Sequence, residues 1–220
     1  MKTLEEIQQA LDELKKANVD TQVDAQEIAA AASSGQLVNT IPNFLDGSTI
    51  DSILKKYENS KGTANFRINH YGFWGKGLAN GSFGPVYMLH LDEYSQTLEN
   101  RLWEKLPQFK GYYPYSLFLH IWEPGSQINW HDDIHDSDWE ELTTTIYLNK
   151  DWDINWGGLF LNKEIGDSNT GQWMAPVHNQ LSWFVPPVWH ATTMCSNAMT
   201  EPRLSIQGFW RKSDKPFLGR

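Results

Sequence analysis

Apolar residues recur at two different periods along this chain, and the change of period divides it. Leu4, Ile7, Leu11 and Leu14 follow a Thr3-x-x-Glu6 capping box at helical spacing, so residues 3 to 17 read as an amphipathic helix. An alanine-rich stretch from Asp24 to Ser33, stopped by Gly35, predicts a second helix. Leu37 to Phe44 reads as a strand ending near Pro42. Ser48 is the expected cap of a third helix carrying Ile50, Ile53, Leu54 and Tyr57 and ending at Gly62, with residues 63 to 71 extended. A further helix is expected from Asp92 to about Leu106. Beyond it the period is that of strands: residues 112 to 122, 142 to 149, 158 to 161, 181 to 185 and 203 to 210. These runs are short, β-branched or aromatic, and separated by Gly, Pro, Asn and Asp. No helical pattern intervenes. The expected fold is mainly β with α: an antiparallel sandwich or barrel with helices gathered at its amino-terminal end. Residues 1–36 read as a helical extension and 37–220 as the main domain.

The glycine-rich stretch Gly72 to Gly84 interrupts this plan, with five glycines in thirteen residues. A phosphate loop needs Gly-Lys followed by Ser or Thr and a helix, whereas Lys76 is followed by Gly77. A mobile loop with aromatic tips fits better, with Phe73, Trp74 and Phe83 as a lid over a substrate mouth.

Composition narrows the function classes. Hydrophobic residues make up 40%, which excludes a disordered chain. No apolar run approaches the ~20 residues of a membrane span. The charged start at Met1-Lys2-Thr3 does not read as a signal peptide, and the lone Cys195 fits a reducing compartment, so a cytoplasmic location is expected. A net charge of -9, without a Lys/Arg cluster, argues against a nucleic-acid partner.

Of seven histidines, position singles out two. His131 and Asp133 stand two apart at a strand end, where extended backbone would put both on one face. His190 follows the apolar strand Leu181 to Trp189, 59 residues on (190 − 131), as a return strand across a barrel would place it. Two histidines and one carboxylate occupy one face of an octahedron and leave three positions open. His131 and His135 also have the i, i+4 spacing of a helical zinc pair, but residues 129 to 138 are polar and loop-like and lack the accompanying glutamate. His70, His90, His120 and His178 read as structural.

The text around these residues is ordered: Thr143-Thr-Thr-Ile-Tyr-Leu-Asn-Lys-Asp-Trp152, Gly157-Gly-Leu-Phe-Leu161, Pro176 to Phe184, His190, and Arg203-Leu-Ser-Ile-Gln-Gly-Phe-Trp210. This series resembles the prolyl hydroxylase branch of the Fe(II)/2-oxoglutarate dioxygenases, oxygen-sensing and collagen-type prolyl 4-hydroxylases included. Tyr147 to Trp152 is its most specific piece. The resemblance covers residues 112 to 211 well and residues 37 to 110 in outline.

It implies a double-stranded β-helix (jelly-roll) core. It implies Fe(II) on His131, Asp133 and His190, with no catalytic residue beyond these ligands. It implies 2-oxoglutarate and O2 as co-substrates, with ascorbate as an accessory. Arg203 and Tyr147 would bind the far carboxylate of 2-oxoglutarate, and an Arg fork suits that task. Trp122 stands where the family often has tyrosine, so it would line an altered co-substrate pocket. The gap of 13 from His190 to Arg203 (203 − 190) is longer than usual. Because Asp133 supplies a carboxylate ligand, hydroxylation is favoured over halogenation. The implied reaction is hydroxylation of an unactivated C–H, by family default in a prolyl residue of a protein or peptide. A free amino acid or other small molecule is the rival substrate, and a non-catalytic metal-binding jelly roll is the rival class.

Overall fold

The structure is a computed structural model that describes residues 37–63, 67–68, 84–133, 141–164, 171–214 and 216–217. These belong to one unit, Leu37–Arg220. The two helices expected before residue 36, and the lid residues Phe73, Trp74 and Phe83, lie outside the described residues.

The main unit opens with β1 (Asn39–Ile41) and helix α1 (Gly47–Ser60). Asp46, not Ser48, caps α1: its carboxylate accepts from the Thr49 N–H at 2.8 Å, and the Ser48 hydroxyl donates to it. Hydrogen bonds from Ser48 and then Thr49 hold the Asp46 carboxyl down at about 2. Strands β2 (Arg67–Ile68) and β3 (Val86–His90) follow, then a 3-10 turn at Asp92–Tyr94 and helix α2 (Ser95–Lys105). The remaining strands are β4 (Tyr112–Trp122), β5 (Ile128–His131), β6 (Glu141–Tyr147), β7 (Phe160–Lys163), β8 (Gln172–Met174), β9 (Leu181–Phe184), β10 (Trp189–Thr192) and β11 (Arg203–Lys212).

They form two antiparallel sheets. The larger has the order β1-β9-β6-β11-β4-β3-β2 and the smaller β5-β10-β7-β8. From β4 to β11 the chain passes between the sheets at each step except β7 to β8. That is the double-stranded β-helix, or jelly roll, implied by the family resemblance, and it agrees with the sandwich or barrel read from the strand runs.

Strand alternation assigns two opposite jobs to the faces of the larger sheet. Leu117, Leu119, Ile121, Leu142, Ile146, Leu204 and Ile206 share one buried cluster with Ile50 and Ile53 of α1 and Leu98 and Leu102 of α2. The helices therefore cover that face, and hydrophobic burial there is the main stabilising term. The alternate residues His120, Thr143, Thr145, Tyr147, Ser182, Arg203 and Ser205 are also buried, yet polar. They point the other way, into the space between the sheets.

One sequence reading needs correction. Leu181 to Trp189 is not a single strand. β9 ends at Phe184, and Pro186-Pro187, which lacks ladder N–H donors, separates it from β10. His190 lies inside β10, not after β9.

The start of β7 depends on close backbone approach. Gly157 has φ +70, and a Cβ there would lie 2.2 Å from the Met194 carbonyl oxygen. Gly157→Ala should therefore lose stability by about 1–3 kcal/mol, read as a fall of several degrees in Tm. Gly47→Ala, with ordinary φ and open space around it, should leave Tm unchanged or slightly raised.

Candidate functional site

The smaller sheet brings the two histidines together. In the β5–β10 pairing, Ile128 opposes Thr192 and His131 opposes His190, so three steps on β5 face two on β10. This is a bulge, which bends the strand and re-aims its side chains. Asn129 and Trp130 are left exposed while His131 turns toward the barrel. The His131 and His190 ring centroids are 4.0 Å apart.

Asp133 joins them by a route the alternation argument did not foresee. Its φ is 59°, a left-handed conformation outside the strand, which Asp tolerates better than most residues. The turn carries its carboxylate back between the rings. Oδ1 lies 3.2 Å from His131 Nε2, and Oδ2 lies 3.2 Å from His190 Nε2.

The outer ring nitrogens fix what these atoms are. His131 Nδ1 is 2.8 Å from the Asn129 carbonyl, and His190 Nδ1 is 2.8 Å from the Val188 carbonyl. A carbonyl only accepts, so each Nδ1 donates and each neutral ring keeps its lone pair on Nε2. Two lone pairs and a buried carboxylate thus face one another, with Asp133 Oδ2 lacking any hydrogen bond of normal geometry. Without a cation or a proton between them this arrangement is repulsive. Burial disfavours the charged form of His131, but the Asp133 carboxylate outweighs it and raises the pKa. Burial likewise pushes the Asp133 carboxyl up, yet His190 and His131 hold it well below the usual carboxylate range. Ligand atoms of the three residues lie within 4.8 Å of one another, a span that one metal ion can bridge. The carbonyls behind the rings are the outer partners that orient metal-binding imidazoles. Phe160 stacks on His190 at 5.3 Å, and Phe184 packs against it at 4.9 Å, so water is kept from one side.

A second polar group sits on the larger sheet. Arg203 starts β11 opposite Trp122 and is 2% exposed, which is rare for an unpaired guanidinium. Its charged carbon lies 5.3 Å from the Trp122 ring and 5.0 Å from the Tyr147 ring. Nη1 donates to Ser205 Oγ at 3.3 Å, while Nε has no partner. The Tyr147 hydroxyl, fully buried, also lacks a hydrogen bond of normal geometry. Burial raises the Tyr147 pKa against the pull of Arg203 and Ser182. A carboxylate would satisfy Arg203 and Tyr147 together. Trp122 lies against Arg203. Its indole N–H donates to Ser205 Oγ at 3.2 Å, so its contribution is a ring face and not a free donor.

Several contributors escaped the sequence reading. Ser182 is buried on β9 with an unpartnered hydroxyl, and the alternation Leu181-Ser-Trp-Phe184 already marks it as inward. His120 faces the same interior. Burial and then the Arg203 charge lower its pKa to about 4, so it is neutral near pH 7. Asn149 braces the arginine: Nδ2 donates to the Pro202 carbonyl at 2.9 Å and to Glu201 at 3.0 Å, and Oδ1 accepts from the Leu204 N–H at 2.7 Å. These bonds bracket Arg203 and absorb the long hairpin after His190. Of the other histidines, His178 Nδ1 is tied to the Leu148 carbonyl and His90 is exposed near Asp92. His70 and His135 lie outside the described residues.

Two outcomes follow for the isolated protein. Saturating Fe(II) or Mn(II), under anaerobic conditions, should raise Tm; at a hundred-fold excess over Kd the stabilisation is about 2.7 kcal/mol. Asp133→Ala should abolish that rise in a melting scan. Asn149→Ala should cost about 1–3 kcal/mol by stranding the Leu204 N–H and the Pro202 carbonyl, seen as a lower denaturation midpoint with metal-induced stabilisation retained.

Comparison with known proteins agrees with this geometry. Residues 117–211 match the model of the 2OG-Fe(II) oxygenase superfamily. No curated protein matches the sequence. Among solved structures, a Pseudomonas putida prolyl-4-hydroxylase aligns with TM-score 0.58 and 16% identity, covering 85% of this chain and 98% of that one. A prolyl hydroxylase from Trichoplax adhaerens, solved with a hypoxia inducible factor peptide, aligns with TM-score 0.61 and 16% identity, covering 90% and 96%. The alpha-ketoglutarate-dependent epimerase SnoN of nogalamycin biosynthesis aligns with TM-score 0.60 and 15% identity, covering 86% and 83%. Over its barrel the chain is similar to the 2OG-Fe(II) oxygenase superfamily, and it shares the fold of that superfamily's prolyl hydroxylases.

Proposed function

We propose that this chain is an Fe(II)- and 2-oxoglutarate-dependent dioxygenase that hydroxylates an unactivated C–H bond of an amino-acid-derived substrate. A prolyl residue in a protein or peptide is the first candidate. One observation carries the reading: a His-Asp-His donor set and an unsatisfied Arg203–Tyr147 pair face into one barrel. His131, Asp133 and His190 would hold the iron. Arg203 and Tyr147 would hold the far carboxylate of 2-oxoglutarate. When bound, the iron and 2-oxoglutarate supply the oxygen-activating chemistry, as cofactors generally carry the hard step.

The chain's own residues position and shield. The Asn129 and Val188 carbonyls orient the imidazoles. Asp133 adds the negative charge that matches a divalent cation. Arg203, stacked between two aromatic rings, presents its donors without freedom to turn away. The Phe160 and Phe184 rings exclude water beside His190.

The relatives support both substrate kinds. The Trichoplax hydroxylase was solved with a peptide, and SnoN with nogalamycin RO. The decisive assay is succinate formation from 2-oxoglutarate with Fe(II), run against peptides and free amino acids. A non-catalytic jelly roll would make none. Arg203→Ala should weaken 2-oxoglutarate binding about ten- to a hundred-fold, or roughly 1.5–3 kcal/mol, with metal binding retained. Unchanged 2-oxoglutarate affinity would assign the carboxylate to another residue.

A further inference from the structure

Among the described residues three asparagines are buried on strands or beside them, and they differ in one respect. Asn149 and Asn179 spend their amides on backbone. Asn149 braces the start of β11, and Asn179 accepts from the Leu45 N–H and donates to the Leu45 carbonyl, each at 2.8 Å. Asn162 does neither. It is 1% exposed, and both its Nδ2 and its Oδ1 lack a hydrogen-bond partner. Leaving a buried amide unpaired costs about 1–3 kcal/mol for each group, and folded chains rarely tolerate it without a use. Leu, of similar size, would avoid that cost.

Its place in the fold says what the use is. In β7, Phe160 and Asn162 are buried while Leu161 and Lys163 between and beyond them are more exposed. Phe160 stacks on His190, so Asn162 shares the inward face with it. Across the sheet Asn162 pairs with His190, and His190 pairs with His131. The three residues form one row on adjacent strands, about 4.8 Å apart at each step. Asn162 is therefore level with the metal donors, on the flank opposite His131. The carboxylate end is elsewhere: Gly158 is the β7-side residue against Arg203, where a Cβ would lie 2.7 Å from Arg203 Cδ. Asn162 is four residues further on, a separation of up to about 14 Å.

From this placement we infer that Asn162 is a substrate-binding residue, whose amide pairs with a carbonyl or carboxylate oxygen and an N–H of the molecule to be oxidised. The class is an α-amino-acid unit, inside a peptide or free. Nδ2 donates to its oxygen and Oδ1 accepts from its nitrogen, and the two bonds hold the unit beside the metal. The inference rests on the proposed function for the identity of the reaction, but its test does not need turnover.

The test compares the wild type with Asn162→Leu, both loaded with Mn(II) and 2-oxoglutarate without oxygen. Ligands are N-acetylated amino-acid amides, the corresponding free amino acids, and short prolyl peptides, with binding read by calorimetry. At least one member should bind the wild type and lose ten-fold or more in the variant; whether it is a peptide, an amide or a free amino acid identifies the source of the unit. The ligand-free variant should melt at the same temperature as the wild type or higher, because an unsatisfied amide has been replaced by a methyl pair. The variant's affinity for 2-oxoglutarate should be unchanged. A lower Tm would make Asn162 a structural residue and overturn the inference. So would a ten-fold loss of 2-oxoglutarate affinity, which would give the amide to the co-substrate, or equal binding of the panel by both proteins. A wild type that binds no panel member would overturn it too, while succinate formation would remain the separate measure of the proposed function.

Discussion

Three electron-pair donors held against one another in a buried space are the constraint on which the rest depends. His131 and His190 keep their Nε2 lone pairs because carbonyls of their own strands take the Nδ1 protons. Asp133 brings a carboxylate to 3.2 Å from each. Such a set is held together only by a cohesive frame around it. Opposite it, the larger sheet presents Arg203 and Tyr147 with hydrogen-bonding capacity left over. The interior is thus polar and unsatisfied at both ends, and the apolar cluster behind the larger sheet supplies the stability that this costs.

A single strand does both tasks through its pleat. In β11, Leu204 and Ile206 enter the helix-covered cluster, while Arg203 and Ser205 face the barrel. β6 repeats the scheme with Leu142 and Ile146 against Thr143, Thr145 and Tyr147. A one-residue slip would exchange the two sets and bury Arg203 under the helices, so the same alternation that fixes the core fixes the site. Asn149 secures the end of the hairpin that delivers Arg203.

Much of this was legible in the sequence for that reason. The period-2 runs at 112 to 122 and 203 to 210 closely match β4 and β11, His131, Asp133 and His190 stood out by type and spacing, and Arg203 and Tyr147 were marked by the family resemblance. What was not legible depends on backbone irregularity or on what lies across a sheet. The positive φ of Asp133 and the bulge at Asn129 and Trp130 leave no periodic trace, so the two residues meet by a geometry other than the same-face one expected from the spacing. The short strands β8 and β10 carry too few residues to show a period. Ser48 is of the right type for the α1 cap, but the carboxylate of Asp46, two residues earlier, is the group that accepts from the Thr49 N–H. Asn162 has no local signal, since its meaning lies in its row with His190 and His131 two strands over.

Among the described residues, both helices support the larger sheet. α1 and α2 lie behind the larger sheet, whereas on the smaller one Trp130 is 36% and Trp173 57% exposed. Arg203 and Tyr147 stand on the larger sheet; His131, His190 and Asn162 stand on the smaller one. Substitution on β7 or β8 therefore disturbs fewer buried neighbours than the same change on β6 or β11. The barrel has a conservative wall and a permissive wall. Arg203 and Tyr147 would be held constant by the first, and new substrate contacts would arise on β7 and β8 of the second, around the fixed His131 and His190.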